Sequence, residues 1–139
     1  HEFRVYRLAN KISAGADFIQ TQCIYNMKRF REFINKAVDM GLTEKAYILA
    51  GVTPMKSVGM AKYMAKMVPG MDVPEELINR LKGVEKAKQS EEGIRFAIEQ
   101  INEFKEMTGV AGVHLMAIEW EHKVPEIAER AKVLPRPEV

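Results

Sequence analysis

Residues 14–22 read AGADFIQTQ, and this stretch decides how the rest of the sequence is interpreted. The small residues at 14–16 indicate a tight bend, and residues 17–21 are typical of a strand with Phe18 and Ile19 as its apolar members. Gln22 then stands at the carboxyl end of that strand, where parallel sheets place their ligand sites. Gln22 is therefore a candidate ligand contact, and a glutamine that merely caps the strand is an equally compatible interpretation.

Helices and strands alternate along the rest of the chain. Apolar spacing predicts helices over residues 2–12, 26–40, 57–67, 75–81, 90–108 and 125–132. Strands are predicted at 17–21, 46–52 and 112–118, with a very short one at 71–73. Asn26 is predicted to cap its helix and Ser57 to open the next. The continuous apolar run at 46–52 indicates a strand buried on both faces.

This alternation predicts an α/β fold with about four parallel strands joined by crossover helices. A complete (βα)8 barrel needs about 250 residues, so the 139 residues of this chain form a single domain of roughly half a barrel. The first predicted helix has no N-cap before it, and we therefore expect the sequence to be a truncated piece of a longer one.

Composition narrows the class of protein. A formal charge of +2, with no basic patch interleaved with aromatic residues, argues against nucleic acid as a partner. The single cysteine, Cys23, cannot form an intramolecular disulfide and favours a reducing, cytoplasmic setting. No apolar run reaches the roughly 18 residues of a membrane span, so no membrane association is expected.

Three segments resemble the methylenetetrahydrofolate reductase family. Residues 11–22 (KISAGADFIQTQ) are similar to its fifth-strand segment, residues 50–57 (AGVTPMKS) to its PGI-x-P turn, and residues 109–118 (GVAGVHLMAI) to its final strand. The three segments occur in the family's order and are spread along most of the chain, from residue 11 to residue 118. The resemblance implies the C-terminal half of a flavin-binding TIM barrel.

The resemblance also implies roles for particular residues. Gln22 matches the glutamine that hydrogen-bonds the pterin ring of folate, and Lys11 matches a lysine near flavin adenine dinucleotide (FAD). Met60 and Met64 stand where the family has a glutamine and an aromatic residue against the substrate. Methionine packs on a flat ring but cannot replace an amide's hydrogen bonds, so a related pterin is an alternative substrate. No residue of the chain is expected to be catalytic.

The last strand departs further from the family. Met116 and Glu119 replace its usual Tyr and Asn, and Trp120, Glu121 and His122 follow. A Glu and a His at this edge suggest acid-base chemistry or a metal. With one His, two Glu and no regular ligand spacing, we expect a solvated loop and no metal site.

Taken as a reductase, the parent protein would pass a hydride from reduced FAD to the methylene group of methylenetetrahydrofolate, with NAD(P)H as electron donor, in one-carbon metabolism and methionine biosynthesis. The family's acidic residue lies in the other half of its barrel, so this chain alone is expected to be inactive. Two alternatives stay open. One is a half-barrel module that associates with itself or binds a partner, such as its missing N-terminal half, through unpaired strand edges. The other is a subunit of a one-carbon complex with a different electron donor.

Overall fold

The computed structural model describes residues 3–135 as three strands and six α-helices, with one helix between the first two strands and three helices between the last two. Residue 2, which the prediction included in the first helix, lies outside the described residues. Short 3-10 turns, Lys86–Lys88 and Glu121–Lys123, precede the last two helices. The elements are α1 Phe3–Ser13, β1 Phe18–Cys23, α2 Met27–Asp39, β2 Tyr47–Val52, α3 Val58–Met67, α4 Glu75–Lys82, α5 Gln89–Lys105, β3 Gly112–Leu115 and α6 Val124–Arg130.

Two helix starts follow directly from the sequence. The side chain of Asn26 accepts a hydrogen bond from the backbone N–H of Arg29, and the hydroxyl of Ser57 accepts one from the N–H of Met60. Each cap satisfies a backbone donor that has no partner inside its helix. The predicted starts of α2 and α3 are confirmed.

The strands form a parallel sheet in the order β1-β2-β3. One face of the sheet packs against helices, because Ile48, Ala50 and Val52 of β2 are buried with apolar residues of α1, α2, α5 and α6. Within this core the rings of Phe30 and Phe104 meet edge to face, with centroids 5.2 Å apart. Helices on a parallel sheet are the predicted α/β arrangement.

The other face of the sheet is open at its amino end. Phe18 and Tyr47 are paired across β1 and β2, and they are 58% and 69% exposed. The prediction that residues 46–52 are buried on both faces is therefore wrong for the amino end of β2. In the described part of the chain, no element lies over these two aromatic rings.

The predicted short strand at residues 71–73 is not a strand. Met71 instead closes a turn by donating its N–H to the carbonyl of Val68, and the carboxylate of Asp72 binds Asn26 and Arg29 at the start of α2. Pro74 has no N–H for a ladder. The sheet of the described residues thus has three strands and not four.

A second core cluster joins α3 and α4 to the carboxyl edge of the sheet. Its buried members are Tyr25, Met55, Ala61, Met64, Leu77 and Leu81. Helix α5 approaches this edge at Gly93, where an added Cβ would lie 1.7 Å from the carbonyl oxygen of Met55. No side chain fits that space, so Gly93 sets how closely α5 packs on the segment after β2.

We expect Gly93→Ala to lower the free energy of unfolding by about 3 kcal/mol, because the backbone at Met55 has to move. Alanine is otherwise the better helix former by about 1 kcal/mol. Gly59→Ala in α3 is the matched control, since its Cβ would meet just the Ser57 hydroxyl at 3.6 Å. Urea denaturation should show the control unchanged or stabilised, and equal stability of the two variants would contradict this packing.

Candidate functional site

The carboxyl end of β1 carries an irregularity in its pairing with β2. Gln20 pairs with Leu49 and Cys23 pairs with Gly51, so three steps along β1 correspond to two along β2. The hydroxyl of Thr21 accepts a hydrogen bond from the N–H of Gly51 at 2.9 Å and donates one to the carbonyl of Gln22 at 2.8 Å. One side chain thus replaces the ladder bond that the extra residue removes. Such bulges redirect side chains next to functional sites.

Gly51 makes this bulge possible. A Cβ at Gly51 would lie 2.5 Å from the carbonyl oxygen of Gln22 and 2.7 Å from that of Thr21, both backbone atoms. Regular pairing resumes directly afterwards, because the N–H of Ile24 donates to the carbonyl of Gly51 at 3.0 Å. The side chain of Gln22 is exposed at this point. Its amide is therefore presented at the carboxyl edge by a fixed backbone.

Behind Gln22, buried groups hold the segment that leads to α2. The amide nitrogen of Gln100, from α5, donates to the carbonyl of Ile24 at 2.6 Å. Gln100 is 1% exposed, and its amide oxygen has no hydrogen-bond partner among the described residues. An unpaired buried amide oxygen is destabilising by about 1–3 kcal/mol, and the bond from the same amide to Ile24 offsets part of that cost.

Thr53 joins the ends of β1 and β2. Its hydroxyl lies 2.9 Å from the sulfur of Cys23, and its carbonyl accepts a hydrogen bond from the Tyr25 hydroxyl at 3.1 Å. Burial, with a contribution from Cys23, raises the pKa of Tyr25 well above its usual value, so the phenol stays protonated and donates. Cys23 is half-buried within this group, and its contact with Thr53 gives it a role in packing.

The two predicted substrate methionines differ in position. Met64 is 6% exposed and packs in the second core cluster, so its side chain offers little surface to a ligand. Met60 is half-buried one turn earlier on α3, and its sulfur accepts from the N–H of Lys56 at 3.5 Å. The structure shows packing for both residues, and their contact with substrate stays a prediction.

The loop after β3 is tied to the loop after β2. The ammonium of Lys56 donates to the carbonyl of Glu119 at 3.1 Å and lies 5.7 Å from the centroid of the Trp120 ring. Glu119 has a positive φ of 51°, in the left-handed region. Among residues 3–135, no group of three or more His, Cys, Asp or Glu side chains is placed to hold a metal ion.

Lys11 lies apart from these residues. It is exposed in the last turn of α1, and its carbonyl accepts from the N–H of Ala16 in the bend that leads to the amino end of β1. Gln22 stands at the opposite end of the same strand. The structure therefore brings Gln22 and the start of α3, where Met60 lies, to one edge of the sheet, and leaves Lys11 outside that group.

The family model for methylenetetrahydrofolate reductase matches residues 2–132. The chain belongs to the methylenetetrahydrofolate reductase family. Among curated relatives, it is 28% identical over 136 residues to "Methylenetetrahydrofolate reductase 2" of Schizosaccharomyces pombe, covering 91% of this chain and 21% of the relative. It is 23% identical over 122 residues to "Probable methylenetetrahydrofolate reductase (NADPH)" of Caenorhabditis elegans, covering 86% of this chain and 18% of the relative. The chain thus spans about a fifth of the length of these relatives.

Membership in this family agrees with the resemblance carried by residues 11–22, 50–57 and 109–118. Sequence reasoning missed the roles of Thr21, Gly51 and Gln100 in fixing the edge where Gln22 lies. A glycine inside an apolar strand was a visible signal of close backbone approach. Gln100 gave no such signal, because an amide on the inward face of a helix does not stand out from surface glutamines. Among residues 3–135, no helix has both the length and the apolar character needed to cross a membrane.

We expect Thr21→Val to lower the free energy of unfolding by about 1–2 kcal/mol, because the N–H of Gly51 loses its acceptor while the side-chain shape is kept. Hydrogen exchange at the Gly51 amide should quicken in the same variant. Thr108→Val, at an exposed position, should change stability by less than about 0.5 kcal/mol. Unchanged exchange at Gly51 would show that the hydroxyl does not hold the bulge.

Proposed function

We propose that this chain forms part of a flavoprotein that reduces 5,10-methylenetetrahydrofolate, or a related pterin, to the 5-methyl form. The observation that carries the proposal is the exposed amide of Gln22 at the carboxyl edge of a parallel sheet, in a chain whose residues 2–132 match the reductase family. An amide offers one donor group and one acceptor in a plane, which suits the adjacent acceptor and donor on the edge of a pterin ring.

The chain's own contribution to the reaction is binding and orientation. The Thr21 and Gly51 contacts fix the backbone that carries Gln22, so a ring paired with its amide would be held in one orientation. Bound FAD would supply hydride transfer. Among the described residues, Lys11 is the one that the resemblance assigns to FAD, and it stands apart from Gln22. These residues would therefore form one side of an FAD site and not a complete site.

We propose that activity requires more of the protein than this chain, which spans about a fifth of its curated relatives. Among residues 3–135, β1 and β3 each have one unpaired edge, and this, together with the exposed Phe18 and Tyr47, supports the view that the sheet is part of a larger TIM barrel. NAD(P)H is the proposed electron donor, since the C. elegans relative is named for NADPH. A donor from another flavoprotein in a one-carbon complex stays an alternative. The proposed setting is the cytoplasm.

A second candidate function rests on the same exposed rings. Phe18 and Tyr47 form an apolar patch on the open face of the sheet, and such patches on parallel sheets are normally covered. A second copy of the chain could cover it and produce a self-associating module. A mass that rises with concentration, together with no flavin binding, would favour this function over the reductase proposal.

We expect Gln22→Leu in the intact natural protein to lower kcat/KM for methylenetetrahydrofolate by roughly tenfold to hundredfold. The polar ring edge would face an apolar side chain and lose its hydrogen bonds. Asn35→Leu is the control, because Asn35 is an exposed amide in α2, away from the carboxyl edge of the sheet. Steady-state kinetics with both variants test the proposal. Equal losses in the two variants would argue against a specific role for Gln22.

We expect Lys11→Ala in the intact natural protein to weaken FAD binding by about threefold to tenfold. This is the effect of losing roughly 1 kcal/mol from an exposed cation near a phosphate of FAD. Quenching of flavin fluorescence measures the affinity. Lys45→Ala removes another exposed lysine near the amino edge of the sheet and should leave the affinity unchanged. Parallel losses in both variants would indicate general charge attraction instead of a contact at Lys11.

A further inference from the structure

The connection between α3 and α4 contains a tight turn of residues 68–71, called here the Pro-Gly turn. The N–H of Met71 donates to the carbonyl of Val68 at 3.2 Å, with Pro69 and Gly70 between them. Gly70 has a φ of 80°. Proline followed by a glycine of positive φ is the signature of a type II turn, so this backbone conformation is encoded locally.

The tip of the Pro-Gly turn lies beside the amide of Gln22. An ideal Cβ on Gly70 would be 3.7 Å from the side-chain oxygen of Gln22, which is an ordinary contact distance. The turn and the amide are therefore neighbours, although 47 intervening residues separate them in the sequence. Because Gly70 has no side chain, the space beside the amide oxygen stays open.

Asp72 anchors the turn to the start of α2. Its carboxylate accepts a hydrogen bond from the side-chain nitrogen of Asn26 at 2.9 Å and forms an ion pair with Arg29. Asn26 also caps α2 by accepting from the N–H of Arg29 at 3.0 Å. The hydrogen bond from Arg29 holds the pKa of Asp72 below its usual value, so the anchor is charged at neutral pH.

This anchor is close to Gln22 along the chain as well as in space. Asn26 follows Gln22 by four residues, through a segment held by the bond from Gln100 to Ile24. Both the amide and the turn are thus fixed to the same short piece of backbone between β1 and α2. A shared attachment of this kind keeps the distance between the two constant.

We propose that the Pro-Gly turn is a wall of the Gln22 site, with Gly70 as a specificity-determining residue and Asp72 as a positioning residue. This inference rests on the proposed function, in which Gln22 binds a pterin ring. A ring whose edge pairs with the Gln22 amide has to lie with one side against the Gly70 backbone. A side chain at position 70 would occupy the space that the ring needs. Without the Asp72 anchor the turn could move, and it would no longer hold the ring in one orientation.

The test measures the dissociation constant of 5-methyltetrahydrofolate for the intact natural protein by titration calorimetry. Gly70→Asn adds a side chain while tolerating a positive φ, and we expect about tenfold weaker binding. Asp72→Ala should weaken binding by roughly threefold to tenfold, the range for loss of one coupled contact. Glu44→Ala removes an exposed carboxylate before the amino end of β2 and should bind as the wild type does.

A charge swap separates positioning from general damage. Arg29→Asp alone should weaken binding, and combining it with Asp72→Arg should restore at least half of the loss, as expected for directly coupled residues. Gln22→Leu in the same titration tests the proposed function itself. If Gln22→Leu weakens binding while Gly70→Asn and Asp72→Ala do not, the wall is refuted and the proposed function stands. If Gln22→Leu has no effect, both fail.

Discussion

The close backbone approach of β1 and β2 at Gly51 is the constraint on which the carboxyl edge of the sheet depends. An extra residue in β1 would ordinarily leave one ladder group of β2 unpaired. Here the Thr21 hydroxyl takes that place at 2.9 Å, and the backbone carbonyls of Thr21 and Gln22 lie where a Cβ at Gly51 would be. Buried donors need such partners, so the bulge persists because its lost bond is replaced. The exposed amide of Gln22 is a direct result.

A second glycine contact acts on the other side of the same strand end. Gly93 of α5 lies against the carbonyl of Met55, and Gly51 lies against the carbonyls of Thr21 and Gln22. The segment from Gly51 to Met55 is therefore held between two neighbouring backbones, with no side chain as a spacer on either side. Side chains change rotamer readily, whereas two backbones in direct contact can shift only if the packing around them moves. An edge built in this way is stiff, as the proposed ligand site at Gln22 would require.

The sequence predicted features that depend on neighbours within a few residues, and it failed where distant partners decide. The caps at Asn26 and Ser57 were predictable because donor and acceptor are three residues apart. The sequence could not exclude the predicted strand at 71–73, because the hydrogen bond that holds Asp72 in a turn comes from Asn26, 46 positions away. The exposure of Tyr47 could not be predicted either, because an apolar run shows that a strand can be buried but does not show whether another element covers it. The bulge at Thr21 needed the register of two strands, which no local pattern contains.

Helix α3 bears on how selective the proposed site can be. Met64 is buried among apolar residues, and the sulfur of Met60 is already an acceptor for the N–H of Lys56. Thioethers provide dispersion contacts that adapt to shape, but no strong hydrogen bonds. Recognition of a ring by hydrogen bonding would therefore rest on Gln22, and α3 would add apolar contact. Apolar contacts discriminate weakly between ligands of similar size, whereas an unpaired polar edge is rejected strongly. A site of this composition would accept related pterins that share one ring edge and would exclude rings that lack it.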